Sequence, residues 1–157
     1  GNGGSMPVVH GQTIIVSGAG VAAITPTYRG GTWAAETVWE TKDVATYLGN
    51  PVVIGDTLFG FSTRNSGQFY AIDARDGNVL WLGPPREATN SAVVKAGNVL
   101  FFLNDDGELI VARASRESFQ VVARYMVSEA ATWAQPAISG NRIFVKDSQA
   151  LTLWTME

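Results

Sequence analysis

The chain has 157 residues, 46% of them hydrophobic and 16% charged, with a formal net charge of −3; that length suits one domain with a core large enough to need no covalent staple. No cysteine and one histidine, His10, exclude a disulfide framework, a zinc–thiolate site, an iron–sulfur cluster, a cysteine nucleophile and any site built on two imidazoles from one chain. The mild acidity leaves no basic footprint for nucleic acid or anionic lipid.

Along the chain, residues 1–6 (Gly-Asn-Gly-Gly-Ser-Met) read as a linker, a surface loop or an expression scar, since they offer neither a basic nor an apolar leader region. From Pro7 the sequence repeats. Pro7-Val8-Val9-His10-Gly11, Pro51-Val52-Val53-Ile54-Gly55, Ala92-Val93-Val94-Lys95-Ala96-Gly97 and Pro136-Ala137-Ile138-Ser139-Gly140 superpose, with glycines at 11, 55, 97 and 140, that is, spacings of 44, 42 and 43 residues. After each glycine comes an apolar run: Ile14–Val16, Leu58–Phe61, Val99–Leu103 and Ile143–Val145. A third segment follows at Val21–Ile24, Phe69–Ile72, Leu109–Ala112 and Leu151–Trp154, and a fourth at Thr37–Trp39, Asn78–Trp81 and Phe119–Tyr125. The fourth repeat ends before a fourth segment. The longest mostly apolar stretch, Ile14–Ile24, is broken by Ser17, Gly18 and Gly20 and falls short of the roughly 18 residues of a spanning helix.

These runs are short, β-branched and aromatic, and turn residues bound them, so they read as strands. Asp76-Gly77 and Asp106-Gly107 sit at hairpin distance between runs, where Asp-Gly supplies the positive φ of a tight turn. Only Ser115–Phe119 suggests a helical turn. Four strands repeating every 40–45 residues mark a β-propeller blade, a twisted sheet that buries its faces only against neighbouring blades. The expected fold is therefore all-β, with blades at about 7–48, 49–89, 90–132 and 133–157, the last lacking its outer strand. Trp39 and Trp81 end two outer strands and are expected to pack between adjacent blades.

The segment from Gly67 to Trp81, G-Q-F-Y-A-I-D-A-R-D-G-N-V-L-W, resembles the repeat of the pyrroloquinoline-quinone-like (PQQ-like) β-propeller family, G-x-L-Y-A-L-D-A-x-T-G-x-V-L-W. Pro51–Phe61 is similar to that family's inner strand pair, and Trp133–Trp154 to a closing blade. The resemblance is sharp only in the second repeat; the first carries an insertion around Thr25–Glu36, and the third lacks the tryptophan and the aspartate. Members of seven or eight blades imply that this is the C-terminal part of a larger ring, with a self-sufficient four-bladed ring as the alternative. With the last blade short of a strand, an unpaired edge is expected, for upstream blades, a partner or a second copy to cover.

Quinoprotein dehydrogenases of similar fold add a vicinal disulfide, a tryptophan floor, calcium ligands and a catalytic aspartate. The disulfide is excluded here, and the other roles find no assignable residues, so no cofactor and no metal are expected. Asp73–Asn78 and Asn104–Glu108 gather oxygens but lack the calcium-loop spacing, and read as hairpin turns. His10 has only Ser5 and Ser17 as nearby nucleophiles by sequence, too little for a general base. Arg86 and Glu87, after Pro84-Pro85, read as solvated. Trp133, with Tyr47 and Asn90 in comparable approaches, is expected near the axial mouth, as a plug or as part of a binding rim. The Thr25–Ala35 insertion, with Tyr28, Arg29 and Trp33 among glycines, reads as the longest loop and carries the residue types of interface hot spots. The expected function is a non-catalytic binding or scaffold module engaging a protein or polymer through Tyr28, Arg29, Trp33 or Trp133. The resemblance implies a bacterial cell-envelope setting, periplasmic or extracellular. The alternative is the C-terminal fragment of a PQQ-dependent oxidoreductase whose active site lies in absent blades.

Overall fold

The structure is a computed structural model and describes residues 4–156; Gly1–Gly3 of the expected linker lie outside the described residues. Among the described residues fifteen strands make four antiparallel meanders. Blade 1 comprises β1 (Val8–His10), β2 (Thr13–Ser17), β3 (Val21–Arg29) and β4 (Thr32–Thr41). Blade 2 comprises β5 (Val52–Ile54), β6 (Thr57–Ser62), β7 (Gln68–Asp73) and β8 (Val79–Leu82). Blade 3 comprises β9 (Ser91–Ala96), β10 (Val99–Asn104), β11 (Glu108–Arg113) and β12 (Gln120–Met126). Blade 4 has three strands, β13 (Ala137–Ser139), β14 (Arg142–Lys146) and β15 (Leu151–Thr155). The fold is a β-propeller arc, as the repeat predicts. Ser115–Phe119 is an irregular connection; among the described residues the helical turn lies instead at Arg64–Ser66.

The blades stack by a fixed rule of alternation. The fourth residue after each turn glycine faces forward, to the next blade, and the third faces back. Forward-facing Ile15 packs with back-facing Leu58, Phe59 with Leu100, and Phe101 with Ile143, each pair at the heart of one apolar cluster. The cluster between blades 2 and 3 is aromatic, with Phe69 set 4.3 Å from Phe102, 5.0 Å from Phe119 and 5.4 Å from Phe61 between ring centroids. Burying one such ring contributes about 1.5–3 kcal/mol. Among the described residues the clusters join blades 1–2, 2–3 and 3–4, and none joins blade 4 to blade 1. The arc is therefore open.

Each complete blade has a register shift between its third and fourth strands, at Ala23/Ile24, Ala71/Ile72 and Val111/Ala112. Opposite the residue before the shift stand Trp39, Trp81 and Ala123. The bulge turns the outer strand and delivers the tryptophans to the next blade. Trp39 Nε1 donates to Ala74 O at 3.0 Å, and Trp81 Nε1 to Ser115 O at 2.8 Å. The Trp39 ring lies over Gly77, where a Cβ would come within 2.5 Å of it; Gly77 also has φ 78°. In the third repeat Ala123 stands at the tryptophan's position.

Candidate interaction sites

The first repeat's insertion is not a loop. β3 and β4 run on through it, pairing Thr25 with Glu36, Pro26 with Ala35, Thr27 with Ala34, Tyr28 with Trp33 and Arg29 with Thr32. Gly30 and Gly31, at φ 60° and 83°, supply the two left-handed residues of a two-residue hairpin turn. The glycines read as loop markers are thus one tight turn. Because β2 reaches only Thr13, opposite the start of this extension, the hairpin projects past the lower edge of its blade. Tyr28 and Trp33 are a cross-strand pair with ring centroids 5.0 Å apart, and they stay 59% and 70% exposed; Arg29, exposed, is adjacent. The pair is an aromatic platform fixed by a backbone ladder, with little rotamer entropy left to lose on binding.

Trp133 lies at the opposite edge. The turns at His10–Gly11, Gly55–Asp56 and Gly97–Asn98 share the lower edge with the hairpin tip, whereas Thr132 is tied to the upper-edge turn of blade 3. Its N–H donates to Asp105 O at 3.1 Å and its hydroxyl to Asn104 O. Trp133 is 56% exposed at this edge. Nearby, the Ser128 hydroxyl and the N–H groups of Gln149 and Ala150 donate to the Asp147 carboxylate and hold its pKa down to about 2. Tyr47 is exposed on the same rim, but Asn90 is buried, its N–H and that of Thr89 donating to Asp105 Oδ1. The structure therefore brings Tyr28, Arg29 and Trp33 together and leaves Trp133 apart.

The lower edge also carries an ion network that no local motif announces. The Asp73 carboxylate, 5% exposed, accepts from Arg75 Nε at 2.9 Å and Nη2 at 2.6 Å, from Arg75 N–H at 3.0 Å, and from Arg116 Nη2 of blade 3 at 2.5 Å. Hydrogen bonding from Arg75, with Arg116 adding to it, holds this carboxyl well below the usual carboxylate range. Arg116 also donates to Thr57 Oγ1 at 2.9 Å. Asp56 extends the chain of charges to His10 Nε2 of blade 1 at 2.9 Å, so three blades are linked. Asp56, Arg75 and Arg116 line a groove of about 320 Å³ whose charges already answer one another. His10 has a carboxylate here, but the two serines near it in sequence are engaged elsewhere: Ser5 bonds Gly49 O, and Ser17 ends β2 at the upper edge.

The acidic turns act as turns: Asp73 Oδ1 and Asp76 Oδ1 accept from Arg75 and Asn78 N–H, and Asp106 Oδ1 from Glu108 N–H. Glu87 is not solvated. Its carboxylate, 9% exposed, takes a two-pronged bond from Arg124 at 3.0 and 3.1 Å, which ties the blade 2–3 connection to β12. Arg86 sits at φ 63° beside it. Sequence pattern cannot show the Asp73–Arg116 or Glu87–Arg124 pairs, because their partners stand 43 and 37 residues apart.

The sequence profile of the family described as outer membrane protein assembly factor BamB matches residues 4–83, just over half of the chain. The chain belongs to this family. Among solved structures, BamB from Moraxella catarrhalis aligns over 99% of this chain at 16% identity and a TM-score of 0.59. This chain spans 58% of that one. The computationally designed Ika4 protein aligns over 98% of this chain and 90% of its own, at 9% identity and a TM-score of 0.72. The quinohemoprotein alcohol dehydrogenase ADHIIG from Pseudomonas putida HK5 aligns over 68% of this chain and 18% of its own, at 17% identity and a TM-score of 0.50. At these identities the solved structures share the fold. Curated protein sequences give no match.

Proposed function

We propose that this BamB-family chain is a non-catalytic docking module of the bacterial cell envelope that holds a protein partner at its projecting hairpin. The reading rests on one observation: Tyr28 and Trp33 pack against each other with their rings tilted, are more than half exposed, and are mounted on a β-ladder beside Arg29. Tyr, Trp and Arg dominate interface hot spots, since each offers a large contact area with a polar handle. An anchored aromatic pair loses little entropy when a partner arrives. The family's description as an outer membrane protein assembly factor suggests the setting and the class of partner. Among the described residues no helix is long and apolar enough to cross a membrane.

Photo-crosslinking in bacterial cells tests the reading. A crosslinking residue placed at position 33 is expected to give a discrete protein adduct that Tyr28→Ala abolishes, and one at position 133 a weaker adduct or none. Equal adducts at both positions, or none at either, would overturn it. So would quinone absorbance in the purified protein, or calcium-dependent dye reduction by an alcohol or sugar, which belong to the oxidoreductase alternative.

A further inference from the structure

We propose, on the reading that the hairpin is the docking site, that the partner enters it as an extended segment that adds a strand to blade 1. The segment pairs its backbone with the free edge of β4 and sets a basic side chain beside Glu36.

In each complete blade the fourth strand ends the sheet, so its outer backbone groups face the rim. Blades 2 and 3, with neighbours on both faces, leave this edge unpaired just as blade 1 does, because a neighbouring blade covers faces and not the rim. The three edges differ in length. On one side of the register shift, β8 keeps two successive paired residues, Trp81 and Leu82, and β12 keeps four, Ala123–Met126. On β4 six remain, Thr32–Thr37. Short or bulged edges resist strand addition, and a long regular one invites it.

Hydrogen-bond direction then selects β4 over β3. The two-residue turn at Gly30-Gly31 makes Arg29 and Thr32 a hydrogen-bonded pair. Alternation from that pair turns the N–H and C=O groups of Trp33, Ala35 and Thr37 outward, to the free edge. It also turns position 26 of β3 away from β4. Position 26 is a proline, and β2 begins at Thr13, too far along to pair with it. The free edge of β3 thus lacks a donor where an added strand would need one. β4 carries neither proline nor lysine. One edge of the hairpin is closed to strand addition, and the other is open.

Side chains set the chemistry of the segment. Glu36 lies opposite Thr25 on the forward side, and it is exposed although blade 2 stands on that side. None of the ion pairs among the described residues engages it. Trp33 and Ala35 alternate with it on the other side of the strand. An added strand alternates in the same way, so its residues beside Trp33 and Ala35 are apolar and those beside Glu36 are lysine or arginine. Such cross-strand pairs fix the register, while the backbone ladder supplies affinity to any extended chain.

Crosslinking from position 33 separates the two levels of the reading. Ala35→Pro is expected to reduce the adduct about tenfold, because it removes an outward N–H and leaves the β3–β4 bonds in place. Glu36→Lys is expected to reduce it about fivefold. Unchanged circular dichroism and melting temperature verify the fold of each variant. An adduct unaltered by both substitutions overturns strand addition and leaves docking at the hairpin standing, whereas no adduct in the parent overturns both. Amide hydrogen exchange on the unaltered chain needs no variant. A short synthetic peptide of alternating valine and lysine, at millimolar concentration, is expected to slow exchange at Trp33, Ala35 and Thr37 about threefold or more. A peptide of alternating valine and aspartate is expected to leave it unchanged. Equal protection by the two peptides, or none by either, overturns the proposal.

Discussion

Blade 2 and blade 1 follow the same repeat and end in different states. All six residues of β6 and all six of β7 are buried, whereas seven consecutive residues of β4 are exposed. The difference is not in the alternation, since both blades place apolar side chains on both faces of their middle strands. It is in the neighbours. Blade 2 is covered forward and back, so its strands read as near-continuous apolar runs, while blade 1 is covered on its forward face alone. Burial here belongs to the stack rather than to the strand. Apolar area covered in this way contributes roughly 25 cal/mol per Å².

The largest test of that contrast is Phe69→Ala, at the centre of the blade 2–3 aromatic cluster. It is expected to cost about 3–5 kcal/mol in urea unfolding, since the cavity cannot refill from both blades at once. A loss below about 1 kcal/mol would mean that blades 2 and 3 are not the rigid centre. Next comes Gly77→Ala, which meets both a left-handed φ and the Trp39 ring and should cost about 3 kcal/mol. Gly97→Ala has a similar φ of 58° but open space around it and should cost only about 1 kcal/mol. Equal losses would show that Trp39 does not pin blade 1 to blade 2.

Asp73→Asn is expected to cost about 2 kcal/mol at neutral pH, as charge-assisted bonds from two half-exposed arginines are lost. Because the folded state lowers the Asp73 pKa, its stabilisation is complete above the ordinary carboxylate value near 4 and drains away as pH falls toward the lowered folded value. The variant should therefore melt with a flatter acid limb between about pH 5 and 2 than the parent. An unchanged limb would remove Asp73 from the inter-blade linkage. The smallest effect is at the hairpin: Trp33→Ala should change stability by no more than about 0.5 kcal/mol while abolishing the crosslink to a partner. A large loss of stability would instead make the pair a structural clasp.

The hairpin and the ion network show how far the sequence could be read. Tyr28, Arg29 and Trp33 were legible as an exposed aromatic–cation group, but Gly30-Gly31 read as loop rather than as a two-residue turn. Glycine pairs serve both, and only the strand ladder on either side decides. Glu87 looked solvated for a related reason, since its partner Arg124 comes from another blade.

By itself the sequence determined the repeat, the strands, the Asp-Gly turns and the tryptophans between blades, because these depend on spacings within about 45 residues and on the period of two along a strand. The tertiary structure alone decided how the blades meet face to face, and that Asp73 and Arg116 tie blade 2 to blade 3. Those outcomes depend on side chains meeting across blades, and alternation within a strand says which face a residue takes but not what stands opposite it.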